Sequence, residues 1–150
     1  MKARSLFQPR SQPAVLSTVP KRSPGDPREW LKRSYSDLKL ADVRRKGVYR
    51  EDLCFHAQQA AEKALKAVLI HRGVKYPFSH DLGVLVRFLK DAGVVVPIEI
   101  QEVARLTRFA VAARYPSIHG PTSAEEYRKV LLVSRRAVKW AEGLIGEKRR

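Results

Sequence analysis

Phe55-His56-Ala57-Gln58-Gln59-Ala60-Ala61-Glu62-Lys63-Ala64-Leu65-Lys66-Ala67 is the stretch that decides the fold. Ala57, Ala60, Ala61, Ala64, Leu65, Val68 and Leu69 recur at three- and four-residue steps, which is the spacing of one helix face. That face is wide and mostly alanine, so a neighbouring helix can approach it closely. His56, Gln59, Glu62, Lys63 and Lys66 lie mostly off it. The pattern therefore predicts a helix with a buried face, set inside a bundle.

Working outward, the rest of the chain from Pro27 onward has the same period. A first helix is expected from Pro27 or Arg28 to Arg45, with Leu31, Tyr35, Leu38 and Ala41 on one face and Gly47 as its stop. The second runs from about Glu51 to Arg72 and ends at Gly73. Ser79 is placed as the N-cap of a third, which carries Leu82, Leu85, Val86 and Leu89 and ends at Gly93. Val94-Val95-Val96 has strand propensity, but Pro97 closes it and no second strand offers pairing, so it reads as a packed linker.

A fourth helix is expected from Pro97 or Ile98 to about Arg114, with Ile100, Val103, Ala104, Thr107, Ala110 and Val111 as its stripe; Pro116 disfavours helix at Tyr115. The fifth opens with a capping box, Ser123 and Glu126, before Tyr127, Val130, Leu131, Ser134, Val138, Ala141 and Ile145. The expected fold is all-α: a mostly antiparallel bundle of about five helices, a four-helix up-and-down core plus one more.

Residues 1–27 hold five of the nine prolines and show no helical period. They are read as a disordered basic arm, with the helical domain spanning 28–150. Their prolines break the continuous amphipathic helix of an organelle transit signal. No run approaches the ~20 apolar residues of a membrane span. The single cysteine, Cys54, excludes an internal disulfide and suits a reducing cytoplasm, and its place in the alanine-rich helix makes it a small buried side chain.

The net charge is +15, from 30 basic and 15 acidic residues, which suggests an anionic partner. Residues 1–28 contribute +5 and residues 29–150 contribute +10, so the excess is spread along the chain. Arg128, Arg135, Arg136 and Lys139 fall on the surface opposite the apolar stripe of the last helix. No pair of histidines has the helical two-histidine spacing of a zinc site. No metal or other cofactor is expected.

The order F-H-A-Q-Q-A-A-E-K-A-L-K-A resembles the second-helix signature of HEPN domains. Ser79-His80-Asp81-Leu82 with Leu85 and Leu89 is similar to the start of that family's third helix, and Ala113-Arg114-Tyr115-Pro116 to the step after its fourth. The likeness covers roughly Arg28 to Ile145 and points to standalone prokaryotic members associated with nucleotidyltransferases.

It implies two roles for the motif Arg114-Tyr115-Pro116-Ser117-Ile118-His119, whose spacing matches that of HEPN ribonucleases: phosphate binding for Arg114 and proton transfer for His119. A guanidinium meets two phosphate oxygens at once, and an imidazole exchanges protons near neutrality. His56, Gln59 and Lys63 on the second helix, and Arg128, Arg135 and Arg136 on the last, are the candidate nucleotide- or RNA-binding residues.

The resemblance further implies a homodimer in which two copies of the motif face each other, RNA cleavage without metal, and a separate minimal nucleotidyltransferase as partner. Tyr115 and Ser117 depart from the family pattern, where a short polar residue and an aspartate are common. The alternative function is accordingly a non-catalytic nucleotide-binding or protein-assembly module. Some relatives are silenced by adenylation of a tyrosine two residues after the histidine; here that position is Pro121. Tyr127 lies on the core stripe instead.

Overall fold

The computed structural model describes residues 25–112, 115 and 120–147. Helix α1, Pro27–Ala41, starts where the sequence places it: Pro27 occupies the first turn and the Asp26 carboxylate accepts from the Arg28 N–H at 2.9 Å. It stops short of Arg45. The Tyr127 hydroxyl donates to the Ala41 carbonyl at 2.6 Å, taking the acceptor that a further helical turn would use, and Asp42 has left helical geometry. The buried stripe is Ser34, Asp37 and Ala41, while Leu31, Tyr35 and Leu38 are half-buried beside it.

Helix α2, Arg50–His71, is the centre of the bundle. Ala57, Ala60, Ala61, Ala64 and Ala67 are wholly buried. Because these positions carry only a methyl group, neighbouring helices come close enough for side chains to reach its backbone. Ser34 of α1 donates to the Ala60 carbonyl at 2.7 Å, and Ser134 of the last helix donates to the Ala57 carbonyl at 2.6 Å. Such bonds lock the spacing of three helices at buried points. Gly73, at φ +70°, lets the chain turn away, with the Val74 N–H donating back to the Leu69 carbonyl.

Helix α3, Leu82–Asp91, is capped by Asp81, whose carboxylate accepts from the Gly83 and Val84 N–H groups. Ser79 is thus not the N-cap. Its hydroxyl accepts from the Asp81 N–H at 3.0 Å and shapes the turn before the cap. Val94 and Val96 are buried and Val95 is exposed in an irregular linker, and there is no strand among the described residues.

The expected fourth helix is broken into α4, Ile98–Gln101, a 3₁₀ segment, Glu102–Leu106, and α5, Phe109–Ala112. The buried residues explain it. Ile100, Val103, Leu106 and Phe109 recur every three residues, and a 3₁₀ turn has three residues where an α-helix has 3.6. Ala104 and Val111, assigned to the core by the longer period, are exposed. At the break, the Thr107 hydroxyl accepts from the Leu82 N–H at 3.0 Å, fastening the segment to the start of α3.

Helix α6, Ala124–Glu147, begins at the expected cap: the Ser123 hydroxyl accepts from the Glu126 N–H at 3.0 Å. It buries Tyr127, Val130, Leu131, Ser134, Ala137, Val138, Ala141 and Ile145. Paired contacts give the directions. Ser34 meets Ala60 and Asp37 meets His56, so α1 and α2 are antiparallel; Tyr35 meets Glu142 and Ala41 meets Tyr127, so α1 and α6 are antiparallel too. α2 and α6 therefore run side by side in the same sense. The fold is all-α, as expected.

Candidate functional site

Arg114 and His119 lie outside the described residues, but the ends of the segment that carries them are well defined. On the approach, the Tyr115 N–H donates to the Val111 carbonyl at 3.2 Å, and Arg108 pairs with Glu126 of α6. On the return, the buried Thr122 is held from both sides of its backbone. Its N–H donates to the Glu51 carboxylate at 2.5 Å, and its carbonyl accepts from the Arg50 guanidinium at 3.1 Å. The residues that flank the arginine–histidine motif are thus pinned to α6 through Arg108 and to the first turn of α2 through Arg50 and Glu51. Sequence reasoning passed over all three.

The second-helix candidates are engaged within the protein. Asp37 is a buried carboxylate on α1; Lys63 forms an ion pair with it, and His56 Nδ1 approaches its other oxygen at 3.3 Å. Gln59 donates to the Gln58 side chain at 2.8 Å and approaches Glu62 at 3.4 Å. His56 and Lys63 are therefore brought together by the one carboxylate that both contact. A charged residue three places after Ser34 and four before Ala41, on a stripe that must be buried, is the signal in the sequence that a partner cation was required.

The three arginines of α6 have different surroundings. Arg128 and Arg135, seven residues apart, share one stripe. Arg128 is exposed, and Arg135 pairs with Asp42 at 2.7 Å. Arg136 turns toward a groove between α6 and the 3₁₀ segment, which also holds Arg105, Arg108 and Lys129 against Glu99, Glu102, Glu125 and Glu126. Four cations face four carboxylates there, so that groove is electrically balanced.

Burial pushes the Cys54 thiol up to about 12, with the Glu51 carboxylate adding to the shift, which leaves the thiol protonated and inert as read from the sequence. Burial also raises Tyr127, whose hydroxyl is spent on Ala41. Its core assignment stands. Among the described residues, no three His, Cys, Asp or Glu side chains gather as a metal would need, and no helix is long and apolar enough to cross a membrane.

The HEPN-domain family model matches residues 27–144. The chain belongs to the HEPN family. Two solved structures resemble it. The protein TT1696 from Thermus thermophilus is 30% identical, with a TM-score of 0.69 over 78% of this chain and 96% of that one. ST0689, described as an archaeal HEPN homologue, is 24% identical, with a TM-score of 0.63 over 80% of this chain and 98% of its own, and shares the fold. No curated protein matches the chain. Within this HEPN domain the matched residues include α1 to α5, the motif with Arg114 and His119, and most of α6.

Proposed function

We propose that this HEPN protein binds single-stranded RNA and cleaves it without metal, through Arg114 and His119 contributed by two copies of the chain, and that a minimal nucleotidyltransferase is its partner. The observation that carries the reading is the anchoring on both sides of the motif. Arg50 and Glu51 hold Thr122 and Arg108 pairs with Glu126, so four charged side chains anchor the residues on either side of the motif, and catalysis requires such a fixed frame. The net charge of +15 supports an anionic substrate.

In the reaction, the ribose 2′-hydroxyl loses its proton to the His119 imidazole and its oxygen bonds to the adjacent phosphorus. The bond from phosphorus to the 5′-oxygen breaks, that oxygen takes a proton from water, the imidazolium returns its proton to the hydroxide so formed, and the products are a 2′,3′-cyclic phosphate and a free 5′-hydroxyl. Arg114 holds the non-bridging oxygens, most strongly as charge builds on the phosphorane.

Two measurements test this. Affinity for unstructured RNA should fall with salt by a log–log slope of about −0.7 per phosphate neutralised, and replacing Arg128, Arg135 and Arg136 should flatten it. Mixing inactive Arg114→Ala with inactive His119→Ala chains tests the shared site: if each site draws its arginine from one chain and its histidine from the other, a mixed dimer regains one intact site. Absence of any recovery in verified mixed dimers contradicts that division. A salt-independent affinity contradicts phosphate binding.

A further inference from the structure

Away from the motif, the linker between α2 and α3 builds a second exposed feature from residues given no binding role above. The Glu62 carboxylate, 4% exposed, accepts from His80 Nδ1 at 2.7 Å, and Lys66 Nζ lies 3.9 Å from the same oxygen. A carboxylate accepts and does not donate, so Nδ1 carries the hydrogen and Nε2 is the nitrogen left to a ligand. The His80 carbonyl is held as well, by the Gln58 side chain at 3.4 Å. His80 is thus held at its ring Nδ1 and at its backbone carbonyl, yet its side chain is half exposed.

Phe78 stands beside it. Its ring meets the His80 ring edge-to-face at 5.6 Å, and Lys66 lies 5.7 Å from its centre. Lys66 is also 5.8 Å from the Tyr76 ring and 5.9 Å from Trp30, and only 7% of its side chain is exposed. Phe78 itself is 90% exposed. A large aromatic ring is thus held from below by a buried ammonium and from the side by a fixed imidazole, with almost its whole surface given to water. Scattered exposed apolar residues need no explanation; one set against an inner cation and an adjacent histidine offers its ring as a platform.

The charge around it selects the occupant. Arg72 and Lys75, in the same linker, are exposed, whereas Asp81, its one acid, spends its carboxylate on capping α3. The α3 N-terminus is closed by that cap and offers nothing to an anion. An aromatic face flanked by solvated cations fits an unpaired nucleobase with its phosphates. Glu62 is eleven residues along α2 from Glu51, roughly 16 Å at the helical rise, so the platform stands apart from the residues clamped beside the motif.

We propose that Phe78 and His80 form a stacking subsite for an unpaired base of single-stranded RNA. The base lies on the Phe78 ring and His80 Nε2 accepts from an N–H on its edge. This rests on the RNA-binding reading, and places a second contact on the strand beyond the cleavage motif.

The test compares two fluorescent probes of equal length and charge, oligouridylate and a ribose–phosphate oligomer lacking bases, at fixed salt. Wild-type protein should bind oligouridylate more tightly. Phe78→Ala should lose about 5- to 150-fold on oligouridylate, the equivalent of the ~1–3 kcal/mol that base–aromatic stacking contributes, and nothing on the baseless oligomer. Phe78→Leu, which keeps an apolar cover over Lys66, should lose as much, and Phe78→Trp should restore binding. Wild-type binding of both probes with no base preference overturns the subsite and leaves the RNA reading in place. Equal loss on both probes, or rescue by leucine, overturns it in favour of a packing role. Weakened self-association with base preference intact overturns it in favour of a protein contact. If the wild-type chain binds neither probe, the RNA reading fails and the subsite with it.

Discussion

Asp37→Asn separates a structural role for His56 and Lys63 from a ligand-binding one. The Asp37 side chain is 10% exposed, and its two partners are 25% and 34% exposed. Removing one member of a fully buried pair costs about 3–5 kcal/mol, while an exposed pair contributes roughly 0–1 kcal/mol. With one partner buried and the others partly solvated, the loss should be about 2 kcal/mol, between those limits, and for a chain of this size it lowers the melting temperature by about 5–10 °C. Thermal unfolding followed by circular dichroism gives the value. Combining Asp37→Asn with Lys63→Met should cost less than the sum of the two, because the second change removes a cation that the first left unpaired. The same proteins are assayed for RNA binding. An unchanged melting temperature together with a several-fold change in RNA affinity would refute the structural reading and return His56 and Lys63 to the binding surface.

Three further outcomes are expected. Ser134→Ala should destabilise by about 1 kcal/mol through the lost bond to Ala57, and Ser134→Val by more, since added volume must push α6 from α2; equal effects in urea titrations would mean that the close approach of the two helices is not what matters. Burial raises Tyr127 and Tyr76 above their ordinary 10.0, and burial with the Glu142 carboxylate pushes Tyr35 up to about 12. The fold therefore favours the neutral phenols, so stability should be complete below pH 10 and fall as pH rises toward 12; a flat urea midpoint across that range would count against it. Glu51→Ala should leave the bundle folded while trypsin cuts between α5 and α6 faster and RNA turnover drops at least tenfold, and unaltered turnover would remove the clamp from the mechanism.

Much of the fold was readable because helix signals are local. The alanine face of α2, Pro27 at the first turn and the Ser123–Glu126 cap each depend on neighbours within four residues, and each is found where the sequence placed it. What was missed depends on distant partners. Ala41 ends α1 because Tyr127, far along the chain, takes its carbonyl. The broken fourth helix was legible in principle, since Ile100, Val103, Leu106 and Phe109 keep a strict three-residue spacing, but a 3.6-residue template absorbed half of them and substituted Ala104 and Val111. Asp81 displaced Ser79 as a cap because two neighbouring residues both had capping chemistry. For the candidate site, the sequence marks the polar residues of α2 as ligands, and what it does not show is that Asp37 and Glu62, two buried carboxylates, also meet them; only a contact across elements reveals that.

Metal-free RNA cleavage dependent on His119 is the proposal that one experiment reaches most directly. The direct measurement incubates the purified protein with varied single-stranded RNAs in EDTA and analyses the new ends by mass spectrometry. Wild-type protein should yield 2′,3′-cyclic phosphates and 5′-hydroxyls, and His119→Ala should lose turnover while keeping its melting temperature and most of its RNA affinity. No cleavage by the folded protein, or cleavage undiminished in His119→Ala, would contradict that reading.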